Sequence, residues 1–316
     1  MNMLDTLKGS YFSEVLPEGW DIEKIYKCVT NDPASVEERQ SFWNKEFAPV
    51  KCTNLEEFGV YMGHEIAMQI KLTKEEGRKL ILILPVGPMG MYKWAVYFLK
   101  AWNVDCKHVY GFNMDEWSDA EGNTLPASDP AAFQNAMLGA FYNPLGELTV
   151  PPEQRNFATK ENLPTYPEKI KALKAEGAKQ VLVYGIGRMC HIAFWEPHFA
   201  GDYKSDDEWK AAPYRVGARL HPFTIEQNAI TSFRSSWPLI PCYANTIGPW
   251  IIFNSDYAIG GADGVLSRGM QWQGMSFWMT LRYGPCRYVT SSNIPTMPGK
   301  LFYMEELAGP LCADTN

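Results

Sequence analysis

The sequence contains no uninterrupted apolar run long enough to cross a membrane. Its longest apolar stretch, residues 237–253, is broken by three prolines and by Asn245, whereas a membrane-spanning helix needs about 20 consecutive apolar residues. The first ten residues are polar and contain Asp5 and Lys8, unlike the apolar segment of a secretion signal. These absences predict a soluble, cytoplasmic protein without a membrane partner.

The sequence also lacks a cluster of basic residues. It has 29 Lys and Arg against 36 Asp and Glu, a net charge of -7. Nucleic acids are bound by concentrated positive charge that meets their phosphates. We therefore expect no nucleic-acid partner.

Cysteine is present, but not in the patterns that hold metals or form disulfide frameworks. The seven cysteines are scattered, odd in number and never spaced as C-x-x-C. This distribution is typical of reduced thiols in a cytosolic protein and predicts neither a zinc site nor a disulfide-stabilised fold.

Strand and helix patterns alternate through most of the chain. Leu80 to Leu84 is apolar without alternation, which predicts a strand covered on both faces in a parallel sheet. Further strands are predicted near residues 108–112, 180–184, 215–220 and 250–253, and helices near 55–70, 92–99, 130–142, 167–175 and 224–233. This order predicts an α/β fold with a doubly wound, mostly parallel, Rossmann-like sheet and helices on both faces. Residues 1–50 are interpreted as a partly helical N-terminal extension, and residues 51–316 as a single domain.

Ligands of open parallel sheets bind beyond the carboxyl ends of the strands, so the loop after the strand near 108–112 is a candidate site. Asp115 and Glu116 follow this strand and point in different directions. One acid can therefore face a pocket while the other caps the next segment. Asp115 is a candidate general base, although on composition alone a helix N-cap is the better-supported role.

A second candidate loop, residues 185–197, contains a histidine with a carboxylate close in sequence. A hydrogen bond between His191 and Glu196 would fix the tautomer of the histidine and raise its basicity. The alternative is a buried histidine satisfied by the backbone. A metal site built from His191, Glu196 and His198 lacks any established ligand spacing.

A third loop, residues 85–90, joins a buried strand to a helix and contains Gly87. Its backbone N–H groups, together with the helix N-terminus, are a candidate anion site. Pro85 and Pro88 have no N–H to donate, and a tight strand-to-helix turn explains the loop equally well.

Two of these segments resemble the glucosamine-6-phosphate deaminase (isomerase) family. Its members have F-N-M-D-E-Y after one strand and G-x-G-x-D-G-H-I-A-F-N-E-P after a later one. The corresponding segments here are residues 112–117 and 185–197, and the likeness extends loosely over residues 51–290. Related phosphogluconolactonases share the glycine turn and the histidine but lack the I-A-F-N-E-P continuation.

The resemblance implies roles for particular residues. Asp115 matches the aspartate that moves the C2 proton in the aldose–ketose step. His191 and Glu196 match the pair that assists opening of the pyranose ring. The family needs no metal or organic cofactor and converts an amino-sugar phosphate into a ketose phosphate and ammonia. The residues expected to contact the sugar or sugar-phosphate substrate are Gly87, Glu116, Gly187 and Arg188.

The chain departs from the family at several positions. Met189 replaces an aspartate two residues before the histidine, and a thioether cannot relay a proton. The loop at residues 85–90 lacks both threonines of the corresponding family loop. Ile230 stands near the position of a family arginine. Residues 261–264 correspond to a family segment with a lysine but contain none. Loss of two charged hydrogen bonds, about 1.5–3 kcal/mol each, would weaken phosphate binding by roughly 3–6 kcal/mol. The arginines that could compensate are Arg188, Arg234 and Arg268.

The leading hypothesis is an aldose–ketose isomerase or deaminase of a sugar or amino sugar with altered phosphate recognition. A catalytically silent sugar-binding or regulatory paralogue is the alternative, favoured by Met189 and the lost phosphate ligands. A lactonase is third, because the I-A-F-x-E-P segment argues against it. The family includes monomers and hexamers, so a homo-oligomer is compatible with the resemblance.

Overall fold

The computed structural model describes residues 3–266 and 270–309. Its strands are β1 (Phe47–Cys52), β2 (Leu80–Leu84), β3 (Val109–Asn113), β4 (Asp115–Ser118), β5 (Arg155–Asn156), β6 (Lys179–Gly185), β7 (Tyr214–Arg219), β8 (Tyr243–Ile247), β9 (Tyr257–Ala262) and β10 (Gly299–Met304). Its α-helices are α1 (Ile22–Val29), α2 (Leu55–Glu75), α3 (Gly90–Ala101), α4 (Phe133–Met137), α5 (Tyr166–Ala175), α6 (Asp206–Lys210), α7 (Pro222–Ser232), α8 (Pro249–Phe253) and α9 (Gly274–Arg282).

The strands form two sheets. The main sheet is parallel, with the order β1-β10-β9-β6-β2-β3-β5. The smaller sheet is antiparallel, with the order β4-β8-β7. The predicted α/β fold with a mostly parallel sheet is confirmed, while the strand predicted near residues 215–220 is β7 of the smaller sheet.

Burial of the central strands explains their unbroken apolar sequence. Every residue of Leu80–Leu84 in β2 is at most 1% exposed. Phe58, Met62 and Ile66, on one face of α2, are buried to the same degree. At roughly 1.5–3 kcal/mol for each large apolar side chain removed from water, these residues contribute strongly to folding.

Strand β9 had no sequence signal because it contains Gly260 and Gly261, and glycine is disfavoured inside strands. The neighbouring rings require these glycines. A Cβ on Gly260 would lie 2.1 Å from Cζ of Tyr184, and one on Gly261 would lie 2.8 Å from Cζ of Phe58. The space that a side chain would fill is therefore already occupied.

The prediction of a strand near residues 250–253 is wrong, because this segment is helix α8. Its first residue, Pro249, has the fixed φ that suits the start of a helix. Ile251 and Ile252 are fully buried. A short apolar run fits a buried helix as well as a strand, so periodicity alone could not distinguish the two.

The N-terminal residues pack against the rest of the chain. β1 begins at Phe47 and pairs with β10, so the predicted boundary at residue 50 falls inside a strand. Upstream, Nε1 of Trp20 donates a hydrogen bond to the carbonyl of Tyr288 at 2.7 Å. Nε2 of His221 lies 2.7 Å from the carbonyl of Val15.

Residues 3–266 and 270–309 contain neither a membrane-spanning helix nor a disulfide bond. None of their helices is long and apolar enough to span a membrane. Their six cysteines are free thiols. Burial raises the pKa of the Cys190 thiol, so this cysteine beside His191 is packed as a small core residue.

Candidate active site

The carboxyl ends of β9, β6, β2 and β3, which are neighbours in the main sheet, open onto a cavity of about 400 Å³. Ligands of open parallel sheets bind at this edge. Helix α7 and the segment before α9 complete the wall. The polar side chains that line the cavity are Asp115, His191, Gln227, Asn228, Thr231, Ser232, Asp263 and Gln273.

Asp115 reaches the cavity because the chain changes sheets after β3. It begins β4, which pairs with β8 in the smaller sheet. The residue is 7% exposed, and no group in the described ranges hydrogen-bonds to its carboxyl. Burial, with a smaller contribution from the charge of Glu116, raises the pKa of Asp115 well above its ordinary value. Such a carboxylate is a stronger base than an exposed aspartate.

Glu116 faces away from the cavity and caps α4. Its Oε1 accepts hydrogen bonds from the backbone N–H groups of Trp117 (2.9 Å) and Phe133 (2.8 Å), and its Oε2 accepts one from Gln134 (2.8 Å). The bonds from Phe133 and Gln134 satisfy N–H groups at the start of a helix that have no partner within it. The two acids thus have the opposite orientations expected of neighbours in a strand.

The loop after β6 aims His191 into the cavity. A Cβ on Gly187 would lie 1.9 Å from Nε2 of His191, so only glycine leaves room for the ring. Cys190 and Ala193 have φ values of 58° and 53°, a region that costs non-glycine residues about 1–2 kcal/mol. Strained backbone of this kind is concentrated at functional loops.

The buried carboxylate of Glu196 lies beside the His191 ring and orients it. Its Oε2 lies 3.4 Å from Nδ1 of His191, and its Oε1 accepts a hydrogen bond from the backbone N–H of His221 at 3.1 Å. The hydroxyl of Thr224 lies 3.2 Å from the same Nδ1. Burial alone would raise the pKa of Glu196, but the His191 charge and these hydrogen bonds lower it overall. An ionised Glu196 favours a proton on Nδ1 and leaves Nε2 for proton exchange.

Comparison with known proteins supports the same assignment of the fold. No protein-family model matches the chain. The glucosamine-6-phosphate deaminase of Yersinia pestis (strain Pestoides F) is 28% identical over 218 residues, covering 66% of this chain and 73% of that protein. A monomeric glucosamine-6-phosphate deaminase of the NagB superfamily superimposes with a TM-score of 0.65 and 18% identity, covering 82% of this chain and 98% of that one. The 6-phosphogluconolactonase from Trypanosoma cruzi has a TM-score of 0.59 and 16% identity, covering 87% and 100% of the two chains.

The chain is thus similar in sequence to glucosamine-6-phosphate deaminases and shares the fold of a NagB-superfamily deaminase and of 6-phosphogluconolactonases. At the position of Cys190, the deaminase motif has glycine, and the positive φ of this residue explains why. Met189, which replaces the motif aspartate, is 1% exposed and does not line the cavity. Glu196 is therefore the acid that lies beside His191.

Of the other residues predicted to contact substrate, two line the cavity and two do not. Gly87 and Gly187 line the cavity, and Gly87 has a φ of 114° that favours glycine. Arg188 does not line it, because its guanidinium lies over the ring of Phe223, 5.9 Å from the centroid. Glu116, as described above, is engaged in capping α4.

Asp263 and Gln273 line the cavity but were not identified from the sequence. Asp263 follows β9 in a loop with no motif, and burial raises the pKa of its carboxyl to about 6. Gln273 accepts a hydrogen bond from the N–H of Gly264 at 2.8 Å and donates one to the carbonyl of Ile186. Only the folded chain brings these two loops together.

Within residues 3–266 and 270–309, neither lysine nor arginine lines the cavity. Arg234, a predicted compensating residue, is exposed after the end of α7. Arg268, the other, lies outside the described residues. The described ranges also contain no group of three or more His, Cys, Asp or Glu side chains suited to a metal ion.

Proposed function

We propose that this protein is an aldose–ketose isomerase or deaminase that acts on an amino sugar or sugar and recognises phosphate differently from its deaminase relatives. The observation that supports this proposal is the shared cavity of Asp115 and His191, with no lysine or arginine among its described lining. A carboxylate and a histidine at one cavity suit proton transfer at two positions of a single substrate.

In the proposed reaction, Nε2 of His191 assists opening of the sugar ring. Asp115 then removes the proton from the carbon that bears the amino group, and the electron pair moves towards the neighbouring aldehyde. Return of a proton to the former aldehyde carbon leaves an imine at the amino-bearing carbon. Water adds to the imine, and ammonia leaves, so that amino sugar and water become ketose and ammonia. Gly87, Gly187 and the backbone beside Arg188 are proposed to shape the sugar site.

A catalytically silent sugar-binding or regulatory paralogue is the second candidate. The apolar Met189 in place of an acid favours it, because fewer proton-relaying groups surround His191. The raised pKa of Asp115 argues for catalysis instead, since keeping a carboxyl group buried without a hydrogen bond is unfavourable for folding. The lactonase neighbours share the fold, and the I-A-F-x-E-P segment remains the argument against lactonase activity.

Ammonia release from glucosamine and from glucosamine 6-phosphate tests this proposal. We expect purified protein to release ammonia from at least one of them, and the Asp115→Asn variant to release none above the uncatalysed rate. Binding of either sugar without turnover would reject the enzyme and support the silent paralogue. Turnover that survives Asp115→Asn would remove Asp115 from the mechanism.

A further inference from the structure

The cavity contains a second carboxylate, far from the proposed base. Asp263 follows β9 and Asp115 follows β3, with β6 and β2 between them in the sheet. Three strand spacings of about 4.8 Å separate the two strands by roughly 14 Å. The two aspartates therefore face different parts of any ligand that fills the cavity.

The carboxyl of Asp263 is available to a ligand. Within the described ranges it accepts no side-chain hydrogen bond and forms no ion pair, although it is partly buried. Its position is fixed by the next residue, because the N–H of Gly264 donates to Gln273 and a Cβ there would lie 2.5 Å from that side chain. Apart from its own backbone N–H, the carboxyl has no partner among the described residues, and such an acceptor in a cavity is suited to a hydroxyl or ammonium donor.

The same arrangement is unfavourable for a phosphate. Asp115 and Asp263 are both acidic, and the remaining polar lining that residues 3–266 and 270–309 supply consists of His191 with neutral amides and hydroxyls. A phosphate dianion in this cavity would meet like charge in a low-dielectric setting, where charge interactions are stronger than in water. Neutral hydroxyls meet no such penalty.

We propose that Asp263 is a specificity-determining residue that selects an unphosphorylated sugar, accepting a hydrogen bond from a hydroxyl or ammonium group at the end remote from Asp115. This inference rests on the proposed function only in that a sugar occupies the cavity. It assigns to Asp263 both an attractive role toward the free sugar and a repulsive role toward its phosphate ester.

The test compares ligands that differ only in the phosphate. Calorimetric Kd values for glucosamine and glucosamine 6-phosphate are measured for the intact wild type, Asp263→Asn and Asp263→Lys. We expect the wild type to bind the free sugar at least tenfold more tightly. The preference should shrink in Asp263→Asn and move at least tenfold toward the ester in Asp263→Lys. Asp207→Lys makes the same change of charge at an exposed position outside the cavity and should leave the ratio unaltered.

Several outcomes would overturn the inference. These are a wild type that binds neither ligand, one that binds the ester as tightly as the free sugar, or a ratio unchanged by both Asp263 variants. An ester preference that disappears in Arg268→Ala would assign phosphate recognition to that arginine instead. Preferential binding of glucosamine without ammonia release would reject the proposed enzyme while supporting the role of Asp263. Turnover restricted to the ester would support the enzyme and reject this inference.

Discussion

The carboxylate of Glu196 lies 3.4 Å from Nδ1 of His191, and both residues are almost completely buried. His191 lines the cavity, whereas Glu196 does not line it and is fully buried behind the histidine. This relationship makes the histidine orientation depend on a buried carboxylate. It also allows charge and shape at Glu196 to be tested separately.

Replacing Glu196 by Gln keeps the shape of the side chain but removes its charge. We expect kcat to fall about tenfold or more, because an amide stabilises a proton-exchanging histidine less well. Glu196→Ala should also destabilise the protein by about 1–3 kcal/mol, since the N–H of His221 loses its acceptor. Activity assays combined with urea unfolding separate the two effects, and equal stability loss in both variants would contradict this assignment.

The ionised form of Glu196 should also appear in the pH dependence of stability. Its pKa is lowered in the folded protein from the ordinary 4.5, so its stabilising contribution is present above pH about 4.5 and is lost as the pH falls through the lower folded pKa. The stability difference between wild type and Glu196→Gln should therefore shrink on acidification below that value. Unfolding curves at pH 7 and at several acidic values provide the measurement.

Asp115→Asn should remove activity and stabilise the fold. A general base contributes about 10²–10⁴-fold to the rate, and the loss should fall in or above this range. The pKa of Asp115 is raised in the folded protein, so its ionised form opposes folding above the ordinary value of 3.8 and increasingly so as the pH rises through the folded pKa. The variant should melt at a higher temperature than wild type at pH 7, with the gain vanishing near pH 4. A lower Tm at pH 7 would show that the carboxylate is structural.

Glu116→Ala should have the opposite effect from its neighbour. Two backbone N–H groups at the start of α4, and that of Trp117 in β4, would lose their acceptor. We expect a loss of about 1–3 kcal/mol in the free energy of unfolding and a smaller effect on kcat/KM than that of Asp115→Asn. Glu121→Ala, at an exposed position in the following turn, is the matched control and should be nearly neutral. A catalytic defect in Glu116→Ala without loss of stability would restore Glu116 as a substrate contact.

Gly187→Ala should displace the His191 ring. The added Cβ would lie 1.9 Å from Nε2, and a shift of about 1 Å in a catalytic group can reduce the rate about 100-fold. Gly139→Ala places the same methyl group where no heavy atom lies within 4 Å and should leave kcat unchanged. Near-normal turnover in Gly187→Ala would place proton transfer elsewhere than at this nitrogen.

Local sequence was enough to identify the strands whose side chains are apolar on both faces. Leu80–Leu84 was predicted with its observed bounds because five consecutive buried positions leave no alternation to misinterpret. Prediction from local sequence missed β9, where Gly260 and Gly261 make room for rings from distant segments. It was wrong for α8, which is too short to show a helical period. Packing against partners far away in sequence decided both cases.

The sequence by itself determined the two motifs that contain Asp115 and the pair of His191 and Glu196, because each motif is a short segment with a recognisable order of residues. Only the tertiary structure showed that Glu116 turns away to cap α4, that Met189 lies outside the cavity, and that Asp263 borders it. These three outcomes depend on side-chain direction and on the meeting of separate strand ends. Neither property is encoded in local residue order, since a cavity is formed by loops that are adjacent only after the parallel sheet has assembled.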